Sequence, residues 1–176
     1  MSDDSGERIV PVAGKRIELE TEIPFETLRR AFEREVPPLD EAAFDKLLND
    51  GAEWRRFVLE AGGNGIHSFV TFWRHSPTPV MTVGGSDAPS AVYLIGDYAT
   101  AARMFRHDPG VMLYVPLRVE LHVNRSGRTV FSVEQPSSQL VSFQNNKITQ
   151  TGYELDRMLG DLIEELGLPR PSVLRR

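Results

Sequence analysis

Polar side chains occupy alternate positions of the stretch from Tyr114 to His122. Arg118, Glu120 and His122 follow Tyr114 at even-numbered positions, and alternate residues of a β-strand point to the same side. A guanidinium can hold a carboxylate through two parallel hydrogen bonds, and a carboxylate beside an imidazole is a pairing used in proton transfer. These residues therefore indicate two kinds of chemistry: binding of a small organic ligand, or general acid–base catalysis.

The ligand-binding hypothesis uses side chains from three predicted strands. We expect Tyr114, Arg118 and Glu134 to line a concave cleft beside the sheet. His67 and Trp73 belong to a predicted strand over Ile66–His75 that carries large side chains on both faces. That pattern is typical of a strand covered by helices on one side and by a ligand, a loop or a second subunit on the other.

Two other interpretations compete for the same face. A small acid–base enzyme would draw its catalytic residues from Glu120, Glu134 and His122, with Arg118 in support. A simpler interpretation leaves this face in water, where Arg118 and Glu120 only add solubility. Neither the residue types nor their spacing decide between these alternatives.

The elements that must position these residues lie between Ala91 and Pro136. Asp97 is predicted to cap a short helix over 98–107. A strictly alternating apolar pattern predicts one strand over Val111–Val123, whose odd-numbered face is buried. The turn residues 124–127 predict a hairpin to a strand over 129–134. Pro116 removes a backbone donor in mid-strand, which indicates an edge strand or a bulge where two copies could pair.

The remaining segments predict strands and helices around this unit. A strand is expected over Lys15–Thr21, followed by helices over 24–36, 40–49 and 54–61, and a short strand over Val80–Val83. Residues 136–147 are expected to be a polar connection. Thr151 and Glu154 form a predicted capping box for the last helix. Its apolar seam is expected to cover the odd face of the Val111–Val123 strand and consists of Leu155, Met158, Leu159, Leu162, Ile163 and Leu166.

The pieces LIGDYATAARMF, DPGVMLYVPLRVELHV and FSVEQP resemble the bacterial and archaeal family known only as domain of unknown function 302. The chain departs mildly at Asp97-Tyr98, where the family usually has Asn-Pro, and at Val115-Pro116, where it has Leu-Pro. The resemblance implies an α+β fold: an antiparallel twisted sheet with helices on one face, TATA-binding-protein-like and of β-α-β(4)-α type. A helical insertion at about 39–61 is extra to that pattern. The resemblance implies no reaction.

Composition excludes several classes of protein. The chain has 176 residues, a net charge of −5 and no cysteine. The absence of cysteine excludes disulfides, thiolate metal sites and a cysteine nucleophile. The acidic balance argues against nucleic-acid binding, which needs clustered lysine and arginine. No histidine spacing predicts a metal site, and no phosphate-binding glycine loop is present, so we expect no cofactor.

We expect one α+β domain over residues 13–168, with a disordered lead over 1–12 and a tail over 169–176. No apolar run is long enough to span a membrane and no signal-peptide pattern begins the chain, which favours a cytoplasmic protein without a membrane partner. The leading hypothesis is a soluble homodimer that binds a small organic ligand in a partly apolar cleft. The alternatives are the acid–base enzyme and a protein-interaction adaptor that uses an exposed sheet edge.

Overall fold

The computed structural model describes residues 6–61 and 67–174. Within them the predicted α+β class is confirmed, because five strands form one antiparallel sheet accompanied by seven α-helices. The strands are β1 (Arg16–Thr21), β2 (Val70–His75), β3 (Ser90–Gly96), β4 (Leu117–Val123) and β5 (Thr129–Glu134). The helices are α1 (Phe25–Glu35), α2 (Glu41–Asn49), α3 (Trp54–Ala61), α4 (Thr78–Val83), α5 (Tyr98–Phe105), α6 (Pro136–Leu140) and α7 (Asn146–Glu165).

Some expectations fall on residues outside the described ranges. These are positions 1–5 of the expected disordered lead, the start of the predicted second strand at Ile66, and the last two residues of the tail. The boundaries of the single domain and the likeness to TATA-binding protein stay predictions.

The sheet has the strand order β1-β5-β4-β3-β2, so β1 and β2 are its edges. Leu121 in β4 pairs with Ala91 on one side and with Phe131 on the other. The interpretation of Pro116 as part of an edge strand is therefore wrong. Pro116 lies just before β4, after a cis peptide bond from Val115, and its missing N–H removes no hydrogen bond from the ladder.

The single strand predicted over Val111–Val123 is also wrong in its first half. Pro109–Leu113 forms a 3-10 helix, and the Asp108 carboxylate accepts a hydrogen bond from the Gly110 N–H at 2.8 Å. Prolines at 109 and 116 lack backbone donors at both ends of this segment, which favours a turn over a sheet ladder. Leu113 is consequently 79% exposed, although alternation placed it in the core.

One strand, one connection and one helix start were predicted incorrectly. Residues 78–83 form α4 rather than a strand, and the expected polar connection contains α6. Helix α7 begins before the predicted capping box because the side chain of Asn145 accepts hydrogen bonds from the N–H groups of Lys147 and Ile148. Thr151 lies inside the helix, where its hydroxyl donates to the Lys147 carbonyl at 2.9 Å.

Helices α1 and α7 share the core with one face of the sheet. The ring of Phe32 in α1 lies 4.6 Å from that of Tyr93 in β3 and 6.4 Å from that of Phe131 in β5, centroid to centroid. The predicted seam of α7 is confirmed as buried, apart from the partly buried Met158, in one cluster with Val119 and Leu121 of β4. Arg118, Glu120 and His122, on the opposite face of β4, lie outside this core.

The region predicted as a helical insertion, 39–61, contains α2 and α3. Asp40 caps α2 as expected, since its carboxylate accepts a hydrogen bond from the Ala43 N–H at 3.0 Å. The ring of Phe44 lies 4.8 Å from Phe57 and 5.1 Å from Tyr98. Aromatic contacts thus hold α2 and α3 against the start of α5.

Candidate functional site

A cleft of about 420 Å³ lies beside the sheet face that points away from α1 and α7. Its walls come from β3, β4, the end of β5, α6 and the 3-10 segment before β4. The lining residues are Leu94, Met112, Leu113, Tyr114, Pro116, Leu117, Arg118, Glu134 and Gln139. The structure therefore brings together Tyr114, Arg118 and Glu134, three of the residues predicted to bind a ligand.

Tyr114 is positioned by the turn that replaces the predicted strand. Its N–H donates to the Val111 carbonyl at 2.9 Å, which closes the 3-10 helix. The half-buried ring makes an edge-on contact with Phe143, with centroids 6.0 Å apart. Tyr114 enters the cleft because the chain turns there, and not because it belongs to the even face of a strand.

The two charged groups of the cleft differ in their partners. The side chain of Gln139 in α6 donates to a Glu134 carboxylate oxygen at 2.7 Å. Arg118 is exposed and forms no hydrogen bond or ion pair with the side chains of residues 6–61 or 67–174. Gln139 was missed by sequence reasoning because the segment holding it looked like an unstructured connection. The guanidinium of Arg118 is thus available to an anion from solution.

A second, mainly apolar pocket of about 220 Å³ adjoins this cleft. It is lined by Phe72, Asp97, Tyr98, Ala101, Met112, Val115 and Pro116. The carboxylate of Asp97 accepts hydrogen bonds from the N–H groups of Ala99 and Thr100, as the predicted cap of α5. Burial raises the pKa of the Tyr98 phenol. Sequence reasoning missed this pocket because its walls come from segments that meet only in the folded chain.

Trp73 lies on a neighbouring groove with Val92, Leu94 and Arg118. The groove and the cleft share Leu94 and Arg118, so Trp73 stands next to the predicted site rather than in it. A bulge between Thr71 and Trp73 interrupts the expected alternation, and Thr71 is buried whereas Trp73 is exposed.

The Phe72 side chain within the bulge packs closely on Gly96 of β3. A Cβ atom on Gly96 would lie 2.8 Å from the ring of Phe72, so the Phe72 ring occupies the space that another side chain would need. Only glycine permits this close approach. Phe72 is thereby held over β3, where it contributes a wall of the apolar pocket.

His67 lies in the interior and not in the cleft. It is 1% exposed, and its Nδ1 accepts a hydrogen bond from the Phe69 N–H at 3.1 Å. Burial lowers the pKa of the imidazole, because the charged form loses its hydration. These contacts are those of a core residue just before β2.

The candidate acid–base residues divide into two places. The Glu120 carboxylate lies 2.7 Å from Nδ1 of His122 and accepts a hydrogen bond from the Ser90 hydroxyl at 3.0 Å. Glu134 belongs instead to the cleft with Arg118. In the register, Glu120 stands opposite Ser132 and Glu134 opposite Arg16. The structure joins Glu120 to His122 but leaves Glu134 apart from them.

No group of three or more histidine, aspartate or glutamate side chains in residues 6–61 and 67–174 is placed to hold a metal ion. Over the same residues, none of the helices combines the length and the apolar character needed to cross a bilayer.

Comparisons with known proteins agree with this fold. The structure superimposes with a TM-score of 0.61 and 12% identity on the crystal structure of an uncharacterized conserved protein DUF302 from Bacillus stearothermophilus. The match covers 86% of this chain and 97% of the other, and at this identity it shows the fold alone. Among curated proteins, none matches the chain. The family model for domain of unknown function DUF302 matches residues 67–166, more than half of the chain. The protein therefore belongs to the DUF302 family.

Proposed function

We propose that the protein binds a small organic carboxylate in the cleft beside Arg118, and that it does so as a homodimer. The observation that carries the binding proposal is the guanidinium of Arg118, which has no partner among the described residues and lies in a cleft whose other walls are partly apolar. Most small-molecule sites have this composition, with apolar walls and a few polar groups that fix the orientation of the ligand.

The hydrogen bond between Glu134 and Gln139 supports the availability of Arg118 to a ligand anion. Glu134 is the acidic residue of the cleft lining, and one of its oxygens accepts a hydrogen bond from the Gln139 side chain. Since Arg118 has no carboxylate partner within the described chain, a ligand carboxylate would not have to displace one. A bidentate arginine–carboxylate pair is among the stronger charge-assisted interactions, although its exposure to water here implies modest affinity.

Binding of benzoate and hexanoate, with benzamide as the uncharged control, tests this proposal. We expect both acids to shift the amide NMR resonances of residues 112–115, 117 and 118 in the full-length protein and benzamide to shift them far less. Arg118→Gln should weaken binding of the acids about tenfold or more, the usual effect of losing a charged hydrogen-bond partner. The matched variant Arg125→Gln, in the exposed hairpin turn, should bind like the wild type.

The proposal fails if neither acid binds, or if Arg118→Gln binds both acids as tightly as the wild type. Equal shifts by benzamide would also contradict it, because the charge of the ligand would then contribute nothing.

The homodimer proposal is supported by the β2 edge of the sheet and by α4. Beyond Thr71, which bridges to Pro38, no described strand pairs with the outer side of β2. Helix α4 follows directly, has no buried residue, and exposes Val80, Met81 and Val83 at 63%, 51% and 90%. An unpaired edge beside exposed apolar side chains suits an isologous contact in which two β2 strands meet. The same edge would serve a protein-interaction adaptor.

A second candidate function rests on the Ser90–Glu120–His122 chain of hydrogen bonds. A carboxylate that orients an imidazole is an arrangement for general-base catalysis. Hydrolysis of p-nitrophenyl acetate provides a simple assay: the wild type should exceed His122→Gln by at least tenfold, given the usual contribution of such a base. Equal rates for the wild type and the variant would reject this candidate and leave the binding proposal unaffected.

A further inference from the structure

We infer that the ligand of the Arg118 cleft is an amphipathic monocarboxylate whose ring or short alkyl chain enters the pocket between Phe72, Tyr98 and Val115. This inference rests on the proposed function, because it assigns the chemical class of the ligand at the same site. Three observations carry it: the cleft and the pocket share lining residues, the pocket is mainly apolar, and the two linings together carry one positive and two negative side chains.

The cleft and the pocket share two walls, Met112 and Pro116. The two spaces therefore adjoin at these residues, and the inference requires a ligand held at Arg118 to pass between them. Met112 is partly exposed, and methionine adapts its unbranched side chain to different ligand shapes. The shared wall can accommodate a chain that passes from one space to the other.

The pocket is suited to an apolar group. The rings of Phe72 and Tyr98 meet edge-on at 5.0 Å, and Ala101 leaves room beside them because its side chain is short. Asp97 is the charged residue of the lining, and its oxygens are occupied by the cap of α5. A volume of about 220 Å³ is enough for one aromatic ring, since an apolar cavity of roughly 150 Å³ holds benzene.

The charges of the lining favour one carboxylate over two. Among the described residues that line the cleft and the pocket, Arg118 carries the positive charge, whereas Glu134 and Asp97 carry negative charges. A second carboxylate on the ligand would lie among like charges without a cationic partner. Dicarboxylates and phosphate esters should therefore bind more weakly than a monocarboxylate of the same size.

A ligand series tests this assignment in the full-length protein. The probes are acetate, 3-phenylpropionate, 3-phenylpropionamide and phenylsuccinate, with dissociation constants from NMR titration. We expect 3-phenylpropionate to bind at least tenfold more tightly than each of the others, because burial of the ring adds to the ion pair. Intermolecular nuclear Overhauser effects should connect the phenyl protons of 3-phenylpropionate to the methyl groups of Ala101 and Val115.

Two variants separate the pocket from the neighbouring groove. Ala101→Leu fills the pocket and should weaken 3-phenylpropionate at least tenfold while leaving acetate unchanged. Trp73→Ala removes a wall of the groove that neither the cleft nor the pocket shares, and it should bind both probes like the wild type. The Overhauser contacts are measured on the wild type, so the test stands even if Ala101→Leu does not fold.

Several outcomes would overturn the inference. If acetate and 3-phenylpropionate bind equally and Arg118→Gln abolishes both, the apolar part of the inference is wrong and the proposed function stands. Phenyl contacts to Trp73 and Val92 would place the ring in the groove and reject the pocket. Tighter binding of phenylsuccinate would reject the single charge. If no probe binds, both the inference and the proposed function fail.

Discussion

Arg118 and His67 show that residue type alone does not reveal which polar side chain is functional. Both were predicted to bind a ligand. Arg118 lies in a cleft where water and solutes reach it, whereas His67 is buried and hydrogen-bonded to the backbone of Phe69. The prediction for His67 assumed that it belongs to a strand. His67 instead lies before Val70, the first residue of β2, so strand alternation does not determine where its side chain points.

The buried imidazole of His67 predicts a pH-dependent stability. Its pKa in the folded protein is lowered from an ordinary value of 6.5. Below about pH 6.5 the unfolded chain therefore binds a proton more readily than the folded chain, and the free energy of unfolding falls with falling pH. His67→Asn should remove this contribution while its side-chain oxygen can still accept from the Phe69 N–H.

Urea unfolding at pH 7.5, 6.5 and 5.5 measures the effect. At pH 7.5 we expect the variant to be less stable by about 1–2 kcal/mol, the usual effect of changing a packed core residue. That gap should narrow as the pH falls, because the wild type loses stability that the variant does not possess. A gap that is constant from pH 7.5 to 5.5 would show that His67 does not titrate differently on unfolding.

At the level of elements, Asp156 joins α7 to α6 and to the C-terminal segment. It is 4% exposed, and its oxygens accept hydrogen bonds from the Ser137 N–H at 2.9 Å, the Ser137 hydroxyl at 2.6 Å and the Gln135 amide at 2.7 Å. The Gln135 amide also donates to the Val173 carbonyl at 3.1 Å. The buried carboxylate of Asp156 thus fixes α7 against the start of α6, and through Gln135 it is linked to the C-terminal segment.

Asp156→Ala should be strongly destabilising. The donors of Ser137 and Gln135 would be left buried without their acceptor, and the expected loss in the free energy of unfolding is about 3 kcal/mol. Urea unfolding measures it. Asp45→Ala, on the exposed side of α2, is the matched control and should stay within about 0.5 kcal/mol of the wild type. A loss at Asp156 no larger than that of the control would mean that water replaces the carboxylate at little cost.

At the level of the whole molecule, the sheet has one covered face, one face with a cleft, and an edge at β2 that pairs with no other described strand beyond the bridge at Thr71. The dimer proposal predicts that Val83→Glu lowers the molar mass measured by light scattering after gel filtration from that of two chains to that of one. A charge introduced into an apolar contact lacks a partner there and opposes association. Leu59→Glu is the control, because Leu59 is an apolar residue of α3 that is 74% exposed, and this variant should leave the mass unchanged.

A monomeric wild type over a wide concentration range would contradict the homodimer and leave the β2 edge to the adaptor hypothesis. Loss of the dimer in both variants would show that α4 is not its specific surface.

The sequence by itself determined the class of the fold and most of the core. The apolar spacing of α1 and α7, the hairpin after β4 and the Asp97 cap are set by neighbours a few residues apart, so local patterns are sufficient to predict them. The family resemblance to DUF302 was likewise carried by contiguous residues and is confirmed by the match over residues 67–166.

Only the tertiary structure decided the site. The 3-10 turn before β4 and the contact of Gln139 with Glu134 are local, but neither the alternating pattern nor the polar composition of these segments revealed them. The approach of the Phe72 ring to Gly96 and the walls of the cleft, from Leu94 to Gln139, join segments far apart in sequence. Alternation assigns a side chain to a face only while the strand continues, and here the strand begins after Pro116. The pocket beside Arg118 exists because those distant segments meet, which no pattern within a single segment could reveal.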